Sequence, residues 1–142
     1  MGTFLDLRSS ENSNTTGLPG TSLSATPALF GVIGLQTRSV TNPIVTLTGV
    51  IGISNPTVGN TFTIQVLRGT TVFNPANVIF TLTQSVRVAS FSDTYTFTAQ
   101  DLLAPAAAET VYSAFVTGGP LIVTSGVRTG PEVFWGVASS TL

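Results

Sequence analysis

Three segments of this chain alternate residue by residue between two sets of side chains, and that period of two excludes a helical body. In 61–66, Phe62, Ile64 and Val66 alternate with Thr61, Thr63 and Gln65. In 78–83, Val78, Phe80 and Leu82 alternate with Ile79, Thr81 and Thr83, and in 94–98, Tyr95 and Phe97 alternate with three threonines. Successive side chains of a strand point to opposite faces, so such runs build strands with one face inward. Their β-branched and aromatic residues suit a pleated surface. Ile44 to Ile53 follows the same rule, with Val45, Leu47, Ile51 and Ile53 on one face and Thr46 and Thr48 on the other.

Shorter signals complete the pattern. The apolar run Ala28 to Leu35 predicts a strand buried on both faces, and Gly31 and Gly34 disfavour a helix there. Val86, Val88 and Phe91 predict a further strand, and Val111 to Thr117, Leu121 to Ser125 and Glu132 to Ser139 three closing ones. Turns fall at 55–60 and 74–77, where Asn, Pro and Gly cluster. Asp101 to Glu109 contains Pro105 and reads as a crossing loop. Gly31 to Leu35 and Gly49 to Ile53 echo each other, as two paired strands with similar packing needs would. The spacing predicts an all-β fold, a jelly-roll β-sandwich of about eight to nine strands over residues 27–142. A chain of 142 residues suits one such domain.

Residues 1–26 fall outside the pattern. Ser, Thr, Asn and Gly dominate from Ser9 to Thr26, a composition that buries too little to order itself alone. It predicts an extended N-terminal arm with an apolar plug at Phe4, Leu5 and Leu7 and a hinge at Gly17, Pro19 and Gly20. The plug can fold back on its own domain or insert into a neighbour. The 18 residues behind it span about 25 Å as a coil, enough to reach an adjacent subunit.

Composition narrows the chemistry. The chain has no Cys, no His and no Lys, which removes disulfides, imidazole and thiolate metal ligands, the usual general base and Schiff-base chemistry. No Gly-x-Ser-x-Gly elbow occurs, and the six carboxylates and five arginines are scattered, in no calcium-loop, paired-carboxylate or phosphate-binding spacing. These features predict no catalytic residue, no metal and no cofactor. Hydrophobic residues make up 42% and charged residues 8%, with a net charge of −1. Such a chain has no field to draw in nucleic acid or anionic lipid and little self-repulsion, so association with its own copies is expected. The N-terminus lacks a secretory pattern, Asp6 stands where a myristoylation motif needs Ser or Thr, and no apolar run approaches the roughly 18 residues of a spanning helix.

Two stretches carry a family likeness. Pro27-Ala28-Leu29-Phe30-Gly31 resembles the first strand, and Val133-Phe134-Trp135-Gly136-Val137-Ala138 the closing strand, of the trimeric complement and tumour-necrosis-factor-like jelly rolls, which also form head domains on the exosporium of Bacillus spores. The family's Gly-x-Tyr segment is absent, with Thr94-Tyr95-Thr96-Phe97 the nearest match. The resemblance implies a homotrimer in which Phe30, Phe134 and Trp135 serve the core or the trimer interface. A Thr-rich, nearly uncharged β-protein with an N-terminal connector also looks like the subunits of spore appendages.

The sequence therefore predicts a structural, non-enzymatic subunit whose trimers stack into a spore-surface fibre or layer, with the arm docking on a neighbour and an anchor or tip protein as possible partner. Neither nucleic acid nor membrane is an expected partner. Two alternatives stand beside it: a viral or phage surface jelly roll, and a lectin-like module stacking sugar on Trp135, Tyr95 or Tyr112.

Overall fold

The computed structural model describes residues 2–54, 60–87, 92–119 and 126–141. Nine strands follow in order: β1 (Phe4–Ser13), β2 (Thr21–Ser22), β3 (Ala28–Leu35), β4 (Ile44–Ser54), β5 (Thr61–Arg68), β6 (Val78–Ser85), β7 (Ser92–Asp101), β8 (Thr110–Gly118) and β9 (Val127–Ser139). A single turn of 3-10 helix, Pro75–Asn77, precedes β6, with the Asn74 side chain accepting from the Ala76 N–H as its cap. The strands form two antiparallel sheets, β1-β9-β4-β7 with β2 beside β9, and β3-β8-β5-β6. This is a jelly-roll sandwich, in which every connection but the β5–β6 hairpin and the β1–β2 turn passes from one sheet to the other.

The alternating runs land as their period demands. Phe62, Ile64 and Val66 of β5 and Val45, Leu47, Ile51 and Ile53 of β4 face inward and are buried. Phe97 sits at the centre of an aromatic cluster, stacked on Phe80 and Phe134 at 5.8 and 6.3 Å and edge-on to Phe30 at 6.4 Å. Such pairs add to plain burial. The two echoing glycines belong to this cluster rather than to one strand pair, since β3 and β4 lie in different sheets. A Cβ on Gly31 would stand 2.5 Å from the Phe134 Cβ, and one on Gly49 would stand 2.4 Å from the Phe97 ring.

Several predicted elements change. Ala28–Leu35 is an edge strand with one face inward rather than a doubly buried one: among the described strands it pairs only with β8, and Val32 and Gly34 stay half-buried while Phe30, Ile33 and Leu35 are buried. Val86 is buried but lies beyond the end of β6, while Val88 and Phe91 are outside the described residues, as are 55–59 and 121–125. The last strand begins at Val127, because the slip between Ile51 and Ile53 lets β9 carry Thr129 to Pro131 past β4 unpaired before the ladder resumes at Arg128.

The largest correction concerns the expected arm, whose strands Phe4–Ser13 and Thr21–Ser22 form part of the sandwich. β1 pairs with β9 from Phe4↔Ser139 to Ser13↔Glu132, and β2 pairs at Arg128 and Val127. The slip between Phe4 and Asp6 turns Leu5 into the chain's own core. Gly17 and Gly20, the predicted hinge, sit at φ +101° and +72° and donate their N–H groups to the Thr129 and Arg128 carbonyls at 2.6 and 2.9 Å. With Pro19 between them they make a pinned turn. Polar residues order here because a sheet edge supplies the backbone bonds their side chains cannot earn by burial.

Side chains then lock β1 down. The Gln36 N–H donates to Asp6 Oδ2 at 2.8 Å and the Val32 N–H to Ser10 Oγ at 3.2 Å, stitching β1 to β3 across the gap between the sheets. Burial alone would raise the Asp6 carboxyl's pKa, but the Arg8 and Gln36 donors outweigh it and hold the carboxyl below its ordinary value. Buried Glu132 accepts from Arg128 Nε and Nη2 at 2.7 and 2.6 Å and from Asn12 Nδ2 at 2.7 Å. At the opposite end, Asp101 takes bonds from Arg68, from Tyr112 Oη at 2.8 Å and from the Leu103 N–H, joining β5, β7 and β8. Burial and the Asp101 bond push the Tyr112 phenol far above its ordinary value.

Candidate self-association face

Strand pairing fixes what the outer face of the first sheet displays. Partners across a ladder share a face, so the registers give rows running over β1, β9, β4 and β7. One row is Leu7, Val137, Thr46 and Gln100; the next is Ser9, Trp135, Thr48 and Thr98; a third is Glu11, Val133, Val50 and Thr96. Phe4, Ser139 and Ile44 begin a fourth. The β9 and β4 columns thus present Val133, Trp135, Val137, Ile44 and Val50 outward, flanked by Leu7 and Phe4 on β1. Phe4 is 61% exposed, Leu7 52% and Trp135 36%. Among these positions Glu11 is the single ionisable side chain.

Eight of the other ten charged side chains pair with one another within the chain. Arg8, Arg68, Arg87 and Arg128 form ion pairs with Asp6, Asp101, Asp93 and Glu132. Gln36 Nε2 donates to Glu109 at 2.5 Å. Carboxylates so engaged are structural, and among the described residues no group of three or more Asp or Glu converges as a metal site would require. The face offers hydroxyls and apolar surface, with Glu11 as its one ionisable group.

The predicted site residues separate. Phe4 and Leu7 stand on the outer face, whereas Leu5 is buried beneath it. Phe30 and Phe134 are core residues at 3% and 0% exposure, which leaves Trp135 as the one member of that set on the surface. Tyr95 and Tyr112 are buried as well, so the aromatic trio proposed for sugar stacking is never presented together. Tyr95 packs edge-on against Phe62 at 4.8 Å. Sequence reasoning missed Ile44, Val50, Val133 and Val137, whose signal was present: apolar residues at positions of opposite parity to the core set on two central strands.

No family model matches the chain, and no curated protein matches it in sequence. Among solved structures, the Eiger TNF from S. frugiperda aligns at TM-score 0.57 and 14% identity, over 95% of this chain and 92% of that one. PRD1 vertex protein P5 aligns at TM-score 0.47 and 10% identity, over 96% and 97%. At 14% identity the first likeness establishes the jelly roll as the fold.

Proposed function

We propose that this chain is a structural, non-catalytic subunit that associates with its own copies as a homotrimer through the outer face of β1, β9, β4 and β7, and that the trimers build a fibre or layer at a spore surface. The observation that carries association is the face itself, two central strand columns with apolar side chains in most rows and one carboxylate at the margin. Contiguous apolar patches of this kind mark interaction sites on soluble domains. Near-neutral charge removes the repulsion that would keep copies apart. The family likeness of residues 27–31 and 133–138 supports the trimer and the spore-surface setting. Phe4 and Leu7 would enter the contact as part of the face, and the connector role once expected of the arm is dropped, since its plug residue Leu5 fills the chain's own core.

The test is the mass of the purified chain in solution by sedimentation velocity across a dilution series, with negative-stain microscopy of the same sample. A reversible trimer, alone or stacked, is the expected outcome. A monomer at every concentration up to the millimolar range would overturn the reading, and shells of closed symmetry would favour a capsid-like role instead.

A further inference from the structure

Open sheets end in strands whose outer backbone groups are free to pair, and natural proteins shield them with charges, bulges or covers. Three of the four sheet-end strands here are shielded. β1 carries Asp6, Arg8 and Glu11 and slips at both ends. β3 has its Val32 and Gln36 N–H groups taken by Ser10 and Asp6. β7 is overlaid at its start by Arg87, which donates from Nη2 to the Thr94 carbonyl at 2.7 Å and from Nε to Asp93 at 3.0 Å.

Among the described residues β6 has only one such device, a slip at its start that leaves Ile79 without a partner on β5. Val78 to Ser85 contains no charged residue and no proline, and β5 is its only partner strand. It also lacks a fully buried residue. Phe80 and Leu82 are half-covered, although Val66 and Ile64 opposite them on β5 are completely buried. Beside its first residues lies a groove of about 480 Å³ lined by Val78, Ile79, Leu102 and Leu103, the last 82% exposed, with Arg68, Gln100 and Asp101 on its polar side. Apolar surface is thus left open along an edge that has no backbone partner besides β5 among the described residues.

We infer that the β6 edge is a strand-addition site whose occupant is β6 of a second copy, paired antiparallel about a two-fold axis through Thr81. Faces match across an antiparallel pair only when partner positions have the same parity. Centring on Thr81 meets that condition: Phe80 faces the second copy's Leu82 on the core side, and Thr81 faces its own counterpart on the outer side. The two half-open cores complete each other, and the two sheets become one. With the axis at Thr81 the seven residues 78–84 overlap, an edge about 24 Å long, and two packed layers with their side chains are about 20 Å wide. The contact then buries roughly 500 Å² per copy, about 1,000 Å² in total, the lower bound for a specific interface. The association is weak and reversible, and it lies apart from the face proposed above.

The absence of native cysteine allows a direct test. Thr81→Cys and Thr83→Cys are each placed in the full chain, at exposed outward positions that leave packing intact. Both also carry Trp135→Glu, which disables the other face and keeps failure of that reading separate. With dissolved oxygen as oxidant, the proposed register brings position 81 against itself and holds the two copies of position 83 apart. Thr81→Cys should form disulfide-linked dimers at least about ten times faster than Thr83→Cys, consistent with the Cα separation a disulfide accepts. Rates that are equal, faster at 83, or negligible at both positions overturn the inference.

Discussion

Replacing Trp135 by alanine probes the association face at its widest side chain. The indole leaves 36% of its surface open. On a side chain of about 250 Å² that is roughly 90 Å², worth about 2 kcal/mol when a neighbour covers it. Over the equivalent contacts of a trimer the loss sums to roughly 6 kcal/mol, a factor of about 10⁴ in the trimerisation constant. The concentration at half-dissociation varies as the square root of that constant, so it should rise about 100-fold. Because the indole stands among Ser9, Thr48, Leu7 and Val133 on the outer side, alanine opens no hole between the sheets and the far-ultraviolet dichroism should be unchanged. Sedimentation velocity over four decades of concentration reads the shift. A dissociation curve that overlays the unmodified chain would refute the reasoning, since it would leave Trp135 outside the contact.

Three further outcomes follow from the sandwich itself. The Asp6 carboxyl has a lower pKa folded than unfolded, so its contribution is fully present above about pH 4 and is lost as pH falls through the folded value. Asp6→Asn should therefore flatten the drop in urea midpoint between pH 5 and pH 2.5, and an unaltered slope would count against the Arg8 and Gln36 contacts. Gly52→Ala puts a Cβ 1.8 Å from the Gly130 carbonyl oxygen, and the backbone shift it forces should lower stability by about 3 kcal/mol in denaturant titration. Arg38 and Ser39 form the middle of a turn at φ +54° and +57°, closed by the Val40 N–H donating to the Thr37 carbonyl at 3.2 Å. Ser39→Gly should relieve that conformation and raise stability by about 1 kcal/mol, measured as a higher urea midpoint with unchanged slope.

The body of the fold was readable because a period of two is a local property. Phe62, Ile64 and Val66 had to share a face whichever strand lay beside them. The end of the chain was harder: Val127 joins the last strand only because the slip at Ile51/Ile53 accommodates Gly130 and Pro131, and slips are set by the partner. The arm misled for a related reason. Its Ser, Asn and Thr residues bury little, which argues for mobility in an isolated segment, but edge pairing with β9 and the Asp6 and Ser10 bonds to β3 order it without burial. The candidate face was half visible. Trp135 was singled out, whereas Val50 and Val133 needed the register that sets them side by side.

By itself the sequence determined that this protein is a charge-poor β-sandwich without Cys, His or Lys, because residue type and alternation act within a few neighbours. Only the tertiary structure decided that Leu5 belongs to the chain's own core while Phe4 and Leu7 stay outside. It alone aligned the apolar columns of β9 and β4 and left β6 with an open edge. Those outcomes depend on which strands meet and in what register, and contacts between residues more than a hundred positions apart, such as Leu7 with Val137, leave no local trace.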